Sequence, residues 1–524
     1  MSEDNASRAA PDAPKHEHVL LSKRLVAINA ASAVIARVLN VTVLLWMYQY
    51  LLARITPEEF AVYPVLTAVM IFAPLFFTLF TGGVARYVVD AYARGEPERV
   101  TQIASSIAPV IAGAGVLFCG AGLLLAGYVE HVLTITPSMV EPTRVMLVLL
   151  VVNYTLQMVL LPFTMGFHVR QRFVEFNALG IVRDLLRMAL LLMFLVGIGP
   201  SVFWVVVAAV ISEQLHLAGV VYRSTQLVPE IRFRPRLFDW RAAKELVSFG
   251  GWTSLGQLSN LLYINGATLI LNAHGTALDV TNFHMGATFF NQIRMMIRLA
   301  AEPLQPAMTA MHSLEDRKRL ARTALRGGRY GLLVALLGAM PLAIYSREFV
   351  QLYLGETFAD AAIVLALFMI VFLATQPVTL LPMVALATAR VRAYNLAALA
   401  STSIGFVTMI VLAVYWDAGA IEIAATLVVV TLAVQVGYYW PLLFRLTGAH
   451  FGDFVWEVLF RGLAPAVAGG VVWAGLAWIA PPESWLTLFL WGAIGGVVYL
   501  ATAAVCSLEP GEREGLKKLI NRFR

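Results

Sequence analysis

The stretch "FHMGATFFNQIRMMIRLAAEPLQ", residues 283–305, decides how this chain is to be read. Its length and apolar content suit a helix that crosses a bilayer. Yet it carries Arg294, Arg298 and Glu302. Projected at about 100° per residue, His284, Thr288, Asn291, Arg294, Arg298 and Glu302 fall within roughly 120° of one another. The opposite face, with Phe289, Met296 and Ala300, is apolar. A single arginine at mid-bilayer depth costs about 2.5–3.5 kcal/mol to insert. Two on one face therefore look toward protein or a water-filled cavity. Pro303 and Pro306 follow and predict an interruption of the helix near Leu299.

The rest of the chain has the same character. Of 524 residues, 59% are apolar and 13% charged, where soluble domains run near 25% charged. Apolar runs of membrane-spanning length recur throughout, too long and uniform for the alternating strands of a barrel. The expected fold class is an all-α polytopic membrane protein with about 14 transmembrane helices. The spans read as 25–48, 60–84, 101–127, 144–166, 176–198, 201–222, 246–272, 281–310, 330–345, 361–387, 394–415, 421–444, 455–479 and 485–506. Cys119 and Cys506 both fall in apolar runs, so neither a disulfide framework nor a metal-ligand set is expected.

Charge gives the orientation. The tails and the loops after even-numbered spans hold 29 Lys and Arg, whereas the loops after odd-numbered spans hold Arg54, Arg144 and Arg347. The positive-inside rule then predicts both termini in the cytosol. The net charge of +6 is thus a topology signal, and nucleic acid is not an expected partner. "LEDRKRLARTALRGGR", residues 314–329, reads as a cytoplasmic loop or amphipathic surface helix.

Spans 1–6 and 7–12 cover nearly equal lengths, and a shift of 220 residues sets Arg24 on Lys244, Arg37 on Gln257 and Asn40 on Asn260. This predicts a parallel repeat of two lobes. The expected domains are a disordered cytoplasmic tail (1–22), an N-lobe (23–222), a cytoplasmic linker (223–244), a C-lobe (245–444), a terminal helix pair (445–506) and a tail (507–524).

Other helices carry polar faces too: Asn29, Ser32, Arg37 and Asn40 on span 1, Asn153, Gln157 and Thr164 on span 4, and Thr253, Gln257 and Asn260 on span 7. Span 5 adds Arg183, Asp184 and Arg187, and span 6 adds Glu213. Arg183 could equally pair with Glu213 or face a cavity. Arg461 is expected to pair at i,i+4 with Glu457. Five buried cations against Asp184, Glu213 and Glu302 leave a positive excess, which suits an anionic, hydroxyl-rich ligand. Arginine grips phosphate well because its planar fork binds two oxygens at once.

Several stretches support a family reading: "KRLVAINAASAVIARVLN" in span 1, "ITPEEFAVYPVL" and "TGGVARYV" around span 2, "YLGETFADAAIVLALF" before span 10 and "WDAGAIEIAAT" at span 12. With its span count, the chain resembles the Wzx-type polysaccharide-biosynthesis flippases of the MOP superfamily, over roughly residues 23–505. The resemblance implies two lobes of the MATE-like fold around a cationic cavity, no cofactor, and alternating access in a bacterial inner membrane. It implies an undecaprenyl-pyrophosphate-linked oligosaccharide as cargo, for O-antigen, capsule or exopolysaccharide synthesis. On that reading Arg37, Arg294 and Arg298 meet the pyrophosphate, and Arg183 and Arg187 are further substrate-binding candidates. Asn40, Gln257, Asn260 and Asn291 meet the sugar. Glu302, Glu213, Asp184 and His284 are candidates for coupling a proton or sodium ion. Membrane lipids and the polysaccharide polymerase and chain-length machinery are the expected partners. Span 2 has only Thr67, Thr78 and Pro74 at its middle, where some relatives carry a charge.

The residues also admit other readings. A lipid II flippase would have nearly the same cavity. A MATE-type multidrug/ion antiporter would want an acidic cavity, and span 1 offers Arg37 without a carboxylate. A membrane polysaccharide polymerase or ligase would want a sizeable extramembrane loop, and the longest here on the sparsely charged side is about 16 residues. No nucleophile elbow or Walker A stretch occurs.

Overall fold

In a computed structural model, the described residues run from 41 to 513, apart from 71–72, 74–86, 89–90, 93, 171, 302–303, 314–315, 389 and 510. The side chains of 245–246, 248–261, 264, 306–307, 310 and 313 are likewise outside the description. The described chain is helical, and nine of its helical stretches are long and apolar enough to cross a membrane.

The principal helices are α1 (Val41–Leu52), α2 (Pro57–Val69), α3 (Pro97–Gly127), α4 (Val140–Leu160), α5 (Phe173–Gly197), α6 (Val202–Leu227), α7 (Trp240–His274), α8 (Ala277–Ala301), α9 (Arg317–Ile344), α10 (Ala359–Thr375), α11 (Val391–Trp416), α12 (Ala420–Val434), α13 (Arg461–Ile479) and α14 (Trp485–Thr502). Several starts follow from their caps. Thr56 accepts from Glu59 N–H ahead of Pro57, and Ser201 caps α6. Asp316 accepts from Arg319 N–H, so the basic stretch after it runs as one helix with the following span. α9 therefore begins at Arg317, well before the expected 330. The expected span at 361–387 is interrupted by a tight turn at Gln376–Val378. Pro377 falls there and Pro382 opens the helix that follows, and proline cannot donate to the helical ladder. The interruption expected near Leu299 is not seen there, since α8 stays helical through Ala301; Pro303 lies outside the described residues, and a helix is described again from Gln305 to Ser313.

α3 packs on α4, α4 on α6 and α5 on α6. In the C-terminal half α8 packs on α10, α10 on α12 and α7 on α11. α9 carries α13, which carries α14. Small residues permit the closest approaches. A Cβ at Gly286 on α8 would lie 2.6 Å from Val364 and 2.9 Å from the Leu365 nitrogen on α10.

One end of the bundle gathers the Lys- and Arg-rich connections, here called the basic end. There the connection from α6 to α7 lies along the start of α3. Thr101 donates to the Glu230 carbonyl at 2.8 Å, while Ser105 and Ser106 accept from the Arg234 and Asp239 backbone at 2.8 and 2.9 Å. Arg329, fully buried on α9, donates to both Glu512 oxygens at 2.7 and 2.9 Å. Arg326 pairs with Glu509.

Arg461 corrects an expectation. Its ion pair is with Glu509 at 3.9 Å, not with Glu457. Residues Val455–Phe460 form a wide π-type turn, so Glu457 and Arg461 lose the one-above-the-other register of an α-helix.

Candidate functional site

Two groups of arginines lie within the bundle. On α5, Arg183 donates to Asp184 Oδ1 through Nε and Nη2 at 3.1 and 3.0 Å. It also reaches Glu213 of α6 at 3.4 Å. One guanidinium thus sits between two carboxylates. Arg187, one turn on, borders a recess with Val43, Leu44, Met47 and Asp184, with room for about one water. Its Nε is buried without a hydrogen-bond partner among the described residues. The phenols of Tyr48 on α1 and Tyr154 on α4 lie within its electrostatic reach.

On α8, Arg294 and Arg298 stand one turn apart. Arg294 is half-buried, with its guanidinium 5.6 Å from the centre of the Phe290 ring. Arg298 is exposed on the protein surface as described without lipid. The Tyr394 phenol of α11 lies within electrostatic reach of both, and the Tyr263 phenol of α7 within that of Arg294. Tyr263 is itself fixed by Thr431 of α12 at 2.6 Å. Three helices thus contribute to this group. Asn291 is half-buried on the same helix, one turn before Arg294. The phenols were not singled out from the sequence. The available signal was a tyrosine inside an apolar span, where its hydroxyl needs a polar neighbour.

Arg37, Asn40 and Glu302 lie outside the described residues. Gln257 and Asn260 lie on α7, but their side chains are among those not described.

His284 lies at the opposite end of α8, about 15 Å along the axis from Arg294 at 1.5 Å per residue. It helps to seal the end away from the basic connections, here called the distal end. Its Nε2 hydrogen-bonds the Tyr48 hydroxyl at 3.0 Å, with Tyr48, Phe60 and Tyr63 packed around the imidazole. Tyr353 donates to the Leu45 carbonyl at 2.6 Å, and Thr281 to the Pro57 carbonyl at 3.4 Å. Asn272 and Thr134 exchange two bonds, Nδ2 to carbonyl at 3.0 Å and amide to Oδ1 at 3.2 Å. Every one of these contacts joins the N-terminal half to the C-terminal half.

The fold is similar to that of solved membrane transporters. The chain superposes on the lipid II flippase MurJ in its inward closed conformation with a TM-score of 0.64 at 12% identity, covering 91% of this chain and 98% of that one. It superposes on the inward-facing conformation of a multidrug resistance MATE family transporter with a TM-score of 0.66 at 12% identity, covering 80% and 99%. At such identities the likeness speaks for the fold alone.

Sequence narrows the class. The uncharacterized membrane protein EpsK of Bacillus subtilis (strain 168) is 23% identical over 356 residues, 67% of this chain and 70% of EpsK. The pattern of the family described as "Polysaccharide biosynthesis protein" matches residues 51–363. The chain belongs to that polysaccharide biosynthesis family, as its resemblance to Wzx-type flippases led us to expect.

Proposed function

We propose that this transporter moves an undecaprenyl-pyrophosphate-linked oligosaccharide from the cytosolic to the periplasmic leaflet of a bacterial inner membrane. Both termini and the basic end face the cytosol, and the distal end faces the periplasm. The observation that carries the reading is the Arg294–Arg298 pair, gathered with Tyr263 and Tyr394 from two other helices. Two guanidinium forks one turn apart can each hold two phosphoryl oxygens, and phenols donate to the remaining ones. Asn291 beside them is suited to a sugar hydroxyl. Arg37, Asn40, Gln257 and Asn260 are proposed to complete the site. The lipid tail trails into the bilayer.

The distal seal supports alternating access. It combines a few hydrogen bonds between the halves, each worth about 0.5–1.5 kcal/mol net, with apolar packing of α2 against α7 and α8. A ligand that binds the outward-open state more tightly by a few kcal/mol can therefore shift the balance. Asp184, Glu213, His284 and Glu302 are the residues to test for proton or sodium coupling. Polymerase and chain-length proteins would receive the cargo.

Arg294→Ala and Arg298→Ala are expected to reduce surface glycan at least ten-fold while the protein stays in the membrane. Arg461→Ala, at the basic end, should change it far less. Full glycan export by both α8 variants would defeat this reading. Restored peptidoglycan synthesis in a lipid II flippase mutant would favour that alternative cargo.

A further inference from the structure

A second cavity lies at the distal end, away from the arginines. It measures about 310 Å³ and lies between the halves. One wall comes from the first turns of α2, including Val62, Val65 and Leu66. The others are the 133–137 connection, Thr143 on α4, and the turn joining α7 to α8. The Asn272–Thr134 bonds cross its rim.

Its chemistry differs from that of the arginine site. Among the described residues the lining holds no Lys or Arg, and its one ionisable side chain is Glu58. A phosphate would find no cation there. One side is aliphatic, while the other offers the Thr134, Thr136 and Thr276 residues and the Asn272 amide. Thr143, fully buried, borders it with a hydroxyl that has no hydrogen-bond partner among the described residues. A buried hydroxyl without a partner is an unmet demand for one. The volume is at the low end for ligand pockets, and equals about ten waters at about 30 Å³ each.

We propose that this cavity is an outer saccharide subsite, which takes one uncharged sugar ring with its C–H face on Val62, Val65 and Leu66 and its hydroxyls toward the threonines and Asn272. The inference rests on the glycan-flippase reading, and adds a separate place on the release side where the head of the cargo docks. Because the subsite spans the two halves, an occupying sugar bears on the Asn272–Thr134 bonds that must part for the distal end to open.

The test uses the full-length protein in detergent and saturation-transfer NMR with glucose, galactose, mannose and N-acetylglucosamine. Inorganic pyrophosphate binding is followed in parallel by calorimetry. At least one sugar should show transfer. Ala277→Phe, which fills the cavity from a half-buried position, should cut that signal at least five-fold. Thr143→Val, which keeps the shape and loses the hydroxyl, should cut it about three-fold. Arg294→Ala should leave the sugar signal intact and abolish pyrophosphate binding. No transfer from any of the four sugars, or a signal that survives both cavity variants, overturns the subsite. A sugar signal lost with Arg294→Ala also overturns it, by making the two sites one, and leaves the flippase reading standing. Unchanged pyrophosphate binding in Arg294→Ala strikes at the flippase reading alone.

Discussion

The arginines of α5 and those of α8 are the same residue type at similar spacing, yet their surroundings differ. Arg183 is clamped between Asp184 and Glu213, so its charge is answered within the protein. Arg294 and Arg298 are gathered with phenols, which can donate hydrogen bonds to an oxyanion alongside a guanidinium. An arginine held by acids serves packing or ion linkage, whereas phenols within electrostatic reach of a guanidinium add donors that a phosphate can use. Arg187 lies between these cases, one turn from Asp184 with its Nε unpartnered.

The largest effect that could break this contrast is the loss of export in Arg294→Ala and Arg298→Ala described above. A finer version is Arg294→Lys. Lysine keeps the charge but not the fork, so surface glycan should fall between wild type and Arg294→Ala. Full rescue by lysine would mean that charge alone matters on α8. For α5 the prediction concerns stability. Arg183→Ala leaves two carboxylates unanswered and should lower unfolding stability by roughly 1–3 kcal/mol. Thermal unfolding of the purified variant measures this, and Arg183→Ala with Glu213→Gln should recover part of it. If Arg183→Ala unfolds like wild type while losing export, α5 belongs to the binding site as well.

Smaller effects test the two ends. Asn272→Ala removes two bonds of the distal seal. Spin labels placed on either side of that seal should show a larger distal-open population. At the basic end, burial raises the Glu512 carboxyl. Hydrogen bonds from the Glu509 backbone and Tyr330, with Arg329 and Arg326 nearby, outweigh that and hold it below the usual carboxylate range. A depressed carboxyl contributes its stability above its unfolded pKa and loses it as pH falls through the folded one. The segment 507–513 should therefore stay protected from hydrogen exchange at neutral pH, and lose protection only below the ordinary carboxylate range.

What the sequence made legible follows from locality. Apolar runs, prolines and loop charges are local signals, and the helical membrane fold could be read from them. The continuity of α9 could not, because the stretch from Arg317 is charged and helical at once, and the expected span counted only its apolar part. Partners separated in sequence were the harder matter. Arg183 with Glu213 was one of two open readings, since adjacent helices bring them near. Tyr263 and Tyr394 beside the α8 arginines went unread, because helical periodicity on one span does not say which side chains a distant span turns toward it. Arg461 was misassigned for a different reason: its local rule assumed regular helix, and the wide turn at Val455–Phe460 removed that premise.

That wide turn has a consequence for the last two helices. A π-type turn accommodates one residue more than the α-helix around it, and one residue is worth about 100° of rotation. The azimuth at which α13 presents Trp473 to α14, through the Trp473–Gly492 carbonyl bond at 3.1 Å, is thus tuned by chain length upstream as well as by the packing itself. Insertion or deletion of a single residue between 455 and 460 would re-phase the whole terminal hairpin, even though every buried side chain within it kept its identity.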